Sequence, residues 1–292
     1  MNATVEKVKN LDELSVFLSE MNNRRESHIG YCGEKAEEIH QTLKEDFVEN
    51  EDVNFVIARN SPGEIIAAMG LDIDETTAEV WGPFNKTTSQ SLQYKLWDQL
   101  LNEHPTIETF YFFINKENTQ QQKFMDELKA EMTGEHLILE INKPNVKSVP
   151  EMKSVLFSQR DYDDFEKIHN QTFPDTYYDA KTIVERLGNG NTLRVVKNKS
   201  NELQGYVYFE VDSAMSEASL EYIGVSPEAR NQGIGTLLLK EALTEMFSYP
   251  MIRDITLTVE NTNSQANHVY LKAGFAFKDM LTSYIFERRT LT

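Results

Sequence analysis

Read in order, the two halves of this 292-residue chain spell nearly the same succession of strand-like and helix-like segments. In the first half, residues 54–58 (NFVIA), 64–73 and 77–81 are runs of apolar and β-branched residues divided by Ser61-Pro62-Gly63 and Asp74-Glu75, as strands divided by turns are. A helix is predicted over 89–101, where Leu92, Leu96 and Leu100 recur on one face. A strand at 110–114, a helix over 119–132 and a strand HLILEI follow. The second half repeats the order: strands at 192–196, 202–211 and 218–225, a helix over 233–247, a strand at 255–259, a helix over 264–273 and a strand near 282–286. Single residues match as well, since Glu117-Asn118-Thr119 and Gln122 stand 143 positions before Glu260-Asn261-Thr262 and Gln265. An internal duplication accounts for this. Residues 142–150 (NKPNVKSVP), with two prolines and no apolar period, read as the linker.

Composition limits the partners. A formal charge of −18 repels phosphate backbones and anionic lipid surfaces and favours a cationic substrate such as an amine, so neither nucleic acid nor a membrane is expected as a partner. One cysteine, Cys32, cannot form an internal disulfide, and neither a secretory leader nor an apolar run of membrane-spanning length is evident. A cytoplasmic location is expected. The histidines are scattered, none in a ligand-spaced cluster, so no metal site is expected. Residues 34–50 are acidic and are expected to form a solvated helical surface.

The stretch 220–240, LEYIGVSPEARNQGIGTLLLK, carries the chemistry. A strand ends at Val225, Ser226-Pro227 breaks it, and an apolar helix opens at Gly233-Ile234-Gly235. Two glycines in a first helical turn cost about 1 kcal/mol each against alanine, so helix stability is not their reason. Without Cβ atoms, the amides of Gln232 to Thr236 can approach a bulky anion, which the helix N-terminus favours. Arg230 adds a fork of donors suited to phosphate. A dinucleotide loop would need a third glycine where Leu238 stands, and a Walker A loop a Gly-Lys-Ser or Gly-Lys-Thr.

Val225-Ser226-Pro227-Glu228-Ala229-Arg230-Asn231-Gln232-Gly233-Ile234-Gly235 resembles motif A of the GNAT superfamily, V-x-P-x-x-R-x-x-G-x-G. Leu257 to Tyr270, followed by Gly274-Phe275, resembles motif B, L-x-V-x-x-x-N-x-x-A-x-x-x-Y. The resemblance covers roughly the last 140 residues. It implies an α/β fold of two tandem GNAT-like domains, each a central, mostly antiparallel mixed sheet with flanking helices: a degenerate domain over 1–143 and an acetyl-CoA-binding catalytic domain over 152–292.

The implied activity is direct transfer of an acetyl group from acetyl-CoA, the cosubstrate, to a primary amine of a small molecule or peptide. By the same resemblance Arg230, Asn231, Gln232, Gly233, Ile234, Gly235 and Thr236 hold the pyrophosphate, and backbone at Ile223, Gly224 and Val225 holds the pantetheine arm and polarises the thioester. Gly224 would let that strand bulge and splay. Glu221, sharing a strand face with Ile223 and Val225 by alternation, is the candidate base. Tyr270 is the candidate acid, and Asn263 contacts CoA or caps the helix that follows. Tyr177 and Tyr178, in HNQTFPDTYYD, border the acceptor site or pack under their loop.

In the first half, aligning Gly82 with Gly224 sets Thr88, Ser89, Gln90 and Ser91 opposite 230–233 and Gln93 opposite Gly235, so neither glycine survives. The 143-residue offset sets Glu127 opposite Tyr270 and Glu131 opposite Gly274. The first domain is thus expected not to bind CoA productively, and instead to cover a sheet edge and wall the acceptor cleft. Two further functions stay open on the sequence: a non-catalytic acyl-CoA sensor that recruits a partner, and a transferase using a longer acyl or an aminoacyl donor.

Overall fold

Strand β4 (Phe55–Arg59) is apolar at nearly every position because both its faces are covered, Val56 and Ala58 packing into one core and Phe55 and Ile57 into another. That two-sided burial is the layout of the whole first unit. The structure is a computed structural model and describes residues 3–49, 52–87, 89–145, 151–174 and 176–288. Thr88, Asp175 and residues 146–150 of the expected linker lie outside the described residues.

The chain divides into two compact units, one of residues 1–136 with 279–292 and the other of residues 137–278. The expected boundaries, 1–143 and 152–292, follow the order of the sequence. The compact units depart from that order because the chain's last strand joins the first unit.

In the first unit β1 (Thr4–Lys7) leads to α1 (Leu11–Asn22) and α2 (Ala36–Asp46). A two-residue pair, β2 (Val48–Glu49) and β3 (Asp52–Val53), precedes β4. Next come β5 (Ile65–Asp74), β6 (Thr77–Asn85), α3 (Gln90–Glu103), β7 (Thr109–Asn115), α4 (Thr119–Leu128) and β8 (Glu131–Asn142), the last running on into the second unit. The sheet order is β1-β4-β5-β6-β7-β14, with β14 (Ala276–Glu287) pairing antiparallel to β7 from Leu281 opposite Asn115 to Glu287 opposite Thr109. Leu92, Leu96, Trp97 and Leu100 of α3 cover one face, as their spacing predicts. Leu14, Phe17 and Leu18 of α1 and Ile39 and Leu43 of α2 cover the other. Helix α2 is therefore amphipathic, its acidic residues on one side and a buried stripe on the other. Helix α4 ends at Leu128, short of the expected Met132: Lys129 turns left-handed at φ 60°, and Met132 lies in β8.

The second unit adds β9 (Val155–Leu156), α5 (Tyr162–Thr172), α6 (Ala180–Glu185), β10 (Thr192–Lys197), β11 (Leu203–Asp212), β12 (Glu217–Val225), α7 (Ile234–Met246), β13 (Asp254–Glu260) and α8 (Ser264–Ala273). Strands β12-β11-β10-β9 form one sheet, while β13 bonds to β8. Alternation along β11 sends Val207, Phe209 and Val211 to the α7 side and Tyr206 and Tyr208 to the α5 and α6 side. Within α7, the wholly buried Glu241 carboxylate accepts the backbone N–H groups of Lys153 (2.7 Å) and Ser154 (2.9 Å), which fastens the segment leading into β9.

Candidate active site

Strands β12 and β13 pack beside each other, but each takes its ladder partner from its other side. The edge of β12 that faces β13 is thus open, and the chain leaves that strand straight into the opening turn of α7. There Pro227–Ala229 forms a single 3-10 turn, Asn231 is left-handed at φ 60°, and Gly233 is left-handed at φ 81° as the N-cap of α7. No side chain bonds to the helix at that cap. A Cβ on Gly233 would meet nothing within 4 Å, and one on Gly235 would find only the Val225 side chain, at 3.7 Å. The amides of the first turn lack partners inside any helix, the two glycines put no side chain over them, and the helix dipole adds a partial positive charge there.

Arg230 stands beside this turn, exposed, its Nε 3.4 Å from the Val225 carbonyl, and no carboxylate pairs with it among the described residues. Gln232 donates its side-chain amide to the Glu228 carbonyl at 3.0 Å, which leaves its backbone to the loop. The donors and the room fit an anion of pyrophosphate size. Ile223, Gly224, Val225, Arg230, Asn231, Gln232, Gly233, Ile234, Gly235 and Thr236 are thus gathered on one strand end and one helix start.

Strand β12 departs from simple alternation. Tyr208 of β11 faces Tyr222, but Phe209 faces Leu220, so Glu221 is the extra residue of a β-bulge. The bulge lies at Glu221 rather than Gly224. It shifts the phase, so Ile223 and Val225 share the α7 side with Ala218 and Leu220, and Glu221 does not belong to their row as alternation predicts. Gly224 has a different reason: it sits opposite Tyr206, and a Cβ there would come 2.3 Å from the Tyr206 ring.

On the α5 side of β12 the structure gathers groups that sequence reasoning missed. Tyr206, Tyr208 and Tyr222 lie with Phe165 and the fully buried His169 in one core, against which Phe173 and Tyr178 pack. Arg186 makes a fork to the Glu210 carboxylate (3.0 and 2.8 Å) and lies 4.5 Å over the Tyr178 ring, while Tyr208 donates to Glu210. Burial raises the Tyr178 phenol above its ordinary range, the Arg186 charge opposes this, and the Glu210 and Glu221 charges add to it. Tyr177 is 88% exposed and leans on Tyr178 at 4.8 Å between ring centres. The period-2 run Tyr206, Tyr208, Glu210 was a readable signal for this face. His169 had none, because its partners come from other elements.

Tyr270 is half-buried on α8 against the α7 core and meets Phe275 edge-on at 5.7 Å. Burial raises its phenol above the ordinary range. Asn263 caps α8, its side chain accepting the Ala266 N–H at 3.1 Å.

The first unit shows the same caps on different chemistry. Asn118 caps α4 and Lys129 ends it left-handed, as Asn263 caps α8 and Gly274 ends it, each pair 145 residues apart. This corrects the 143-residue offset: the residue opposite Tyr270 is the buried Met125, not Glu127, and the one opposite Gly274 is Lys129, not Glu131. Strands β6 and β7 also part, their parallel ladder running only from Thr77 opposite Thr109 to Glu79 opposite Tyr111. Beyond it, Pro83 has no N–H to offer, and its carbonyl accepts the buried Gln121 side-chain amide at 2.9 Å. Gln93 is wholly buried in α3.

The second unit is thus an α/β unit in which an open strand edge feeds an uncapped, glycine-lined helix start. Residues 159–275, within the second unit, match the model of the acetyltransferase (GNAT) family. The fold of the whole chain is similar to that of a GCN5-related N-acetyltransferase from Sphaerobacter thermophilus, at TM-score 0.75 and 14% identity over 99% of this chain and 96% of that one. It is similar to a tandem GNAT protein from the clavulanic acid biosynthesis pathway, at TM-score 0.66 and 13% identity over 100% of both chains. A GNAT-family acetyltransferase from Colwellia psychrerythraea matches at TM-score 0.55 and 12% identity, over 97% of this chain and 100% of that one. The chain has a tandem GNAT fold. No helix among the described residues is long and apolar enough to cross a membrane.

Proposed function

We propose that the second unit moves an acetyl group from acetyl-CoA to a primary amine of a small molecule or peptide by direct attack of the amine on the thioester. The observation that carries this reading is the uncapped start of α7, where a Cβ on Gly233 would enter open space beside an Arg230 that pairs with no carboxylate among the described residues. In this reading the amides from Asn231 to Thr236 and the Arg230 guanidinium hold the pyrophosphate, and the free edge of β12 at Ile223, Gly224 and Val225 holds the pantetheine arm. Backbone N–H groups there stabilise the oxyanion. Asn263 keeps α8 in place beside the donor.

Glu221 removes the proton of the attacking ammonium, directly or through water. The bulge supports this role because it takes Glu221 out of the packed row of Ile223 and Val225. Tyr270 donates its proton to the departing thiolate, a role open to a phenol that is protonated at neutral pH. Tyr177 and Tyr178 border the acceptor. The first unit, in this reading, does not bind acetyl-CoA productively, since Met125 replaces the tyrosine and Gln121 occupies the Pro83 carbonyl. The buried, unpaired Cys32 supports a reducing, cytoplasmic setting.

Calorimetric titration of acetyl-CoA into the protein and into Gly233→Glu tests the reading. One site per chain, abolished in the variant, supports it. Two sites would restore the first unit as a donor site, and no binding would overturn acetyl-CoA as donor.

A further inference from the structure

Tyr222 follows the candidate base in β12, yet its own hydroxyl is committed elsewhere. It accepts two hydrogen bonds from the stretch that carries the acceptor-side tyrosines: Thr176 Oγ1–H at 2.7 Å and the Tyr178 backbone N–H at 3.2 Å. The ring that carries this hydroxyl cannot drift. His169 meets it edge-on at 5.0 Å, Phe173 at 5.1 Å, and Tyr208 lies near-parallel at 6.5 Å.

The other backbone group of Tyr178 is held as firmly. Its carbonyl accepts from His169 Nε2–H at 2.8 Å, and His169 Nδ1 accepts from the Tyr206 hydroxyl at 2.6 Å. These two bonds fix the imidazole in one tautomer. Tyr206 in turn lies against Gly224, on the strand edge assigned to the thioester. One continuous path of hydrogen bonds and ring contact therefore runs from Tyr178 to the donor strand.

We propose that Tyr222 is a positioning residue for amine transfer, its hydroxyl setting Tyr178, and through it Tyr177, against the strand that bears Glu221. The inference rests on the transfer reading above. Tyr222 does not itself exchange a proton with substrate. Its oxygen accepts from two protein donors on the acceptor-side stretch, and it is through these residues that it acts.

The test compares wild type with Tyr222→Phe, which keeps the ring, and with Thr176→Val, which removes one donor and leaves β12 untouched. Steady-state kinetics with the best primary amine from a panel are expected to show acceptor KM raised on the order of tenfold in Tyr222→Phe and severalfold in Thr176→Val, the size of one or two lost hydrogen bonds. At saturating acceptor kcat stays within about twofold, and acetyl-CoA affinity is unchanged, because neither the donors to CoA nor the proton-transfer groups are altered. Hydrogen exchange at the Tyr178 amide, faster in Tyr222→Phe, reads the contact without any turnover. An unchanged acceptor KM, an equal fall in kcat, or a Tyr178 amide that stays protected overturns the proposal. Loss of acetyl-CoA binding by wild type overturns the transfer reading instead, with the exchange measurement still deciding whether Tyr222 holds Tyr178.

Discussion

Asn118 and Asn263 occupy the same backbone conformation, φ −79° with ψ 69° and φ −79° with ψ 70°, and each side chain accepts the N–H three residues on. Two N-caps so alike support a duplicated β-loop-α unit. Asn118→Ala and Asn263→Ala are each expected to lower stability by about 1 kcal/mol. Only Asn263→Ala should also weaken acetyl-CoA binding under the proposed function. Urea unfolding and calorimetry on the two variants check this; equal effects on binding would contradict it.

Tyr270→Phe is expected to lower kcat on the order of 10- to 100-fold with acetyl-CoA affinity retained, because the phenol proton is lost while the ring still packs on Phe275. Stopped-time assays with calorimetry separate the two quantities. A kcat unchanged within error would remove Tyr270 from the proton path.

Two left-handed glycines should respond to alanine by different amounts. At Gly190, φ 101°, an added Cβ would come 2.2 Å from the Val211 carbonyl oxygen. Gly190→Ala is expected to cost about 3 kcal/mol or more. At Gly233 the Cβ would enter open space, so Gly233→Ala should cost only about 1 kcal/mol from backbone conformation, and weaken acetyl-CoA binding. Thermal unfolding of both proteins, with titration of the second, gives the comparison.

Burial holds His169 below its ordinary pKa of 6.5. The unfolded chain therefore takes up a proton at a higher pH than the folded one does, and this group lowers stability as pH falls below about 6.5, at most by about 1.4 kcal/mol per pH unit. Above that pH its contribution is flat. The difference between wild-type and His169→Gln unfolding curves from pH 7.5 to 5 should show this slope. A parallel pair of curves would mean that the imidazole is not kept neutral.

Glu241 presents both carboxylate oxygens to backbone donors. Glu241→Gln turns one of them into a donor facing a donor, which should cost about 2 kcal/mol in urea unfolding. A loss below a few tenths would show that the segment at Lys153 is held by other contacts.

The sequence made some of this site readable and hid the rest for physical reasons. Helix α7 and its approach were readable because glycines at a helix start have no stabilising reason to be there, and the strand, break and apolar run around them are all local. The bulge at Glu221 was not, since one inserted residue leaves an apolar pattern that alternation can fit in either phase. The cap equivalence was displaced by two residues because the local match of Glu117-Asn118-Thr119 to Glu260-Asn261-Thr262 is a closer likeness in letters than in conformation. The acceptor-side cluster was hidden because His169, Arg186 and Tyr222 come together only through packing of α5, α6 and β12. Nothing in the pattern of residues 282–286 names β7 as its partner.

That last pairing bears on synthesis. Strand β7 leaves the ribosome some 170 residues before Leu281 to Glu287, the segment that covers its edge. While the intervening chain is being made, Phe110, Phe112 and Ile114 belong to a strand with one row of backbone donors and acceptors unmatched, the configuration most prone to wrong pairing between nascent chains. A stop codon placed just before Leu281 would leave every residue of the GNAT-family match intact and still deprive the other unit of its closing strand, so the sensitivity of this protein to C-terminal truncation should be felt first in the half that lies farthest away in sequence.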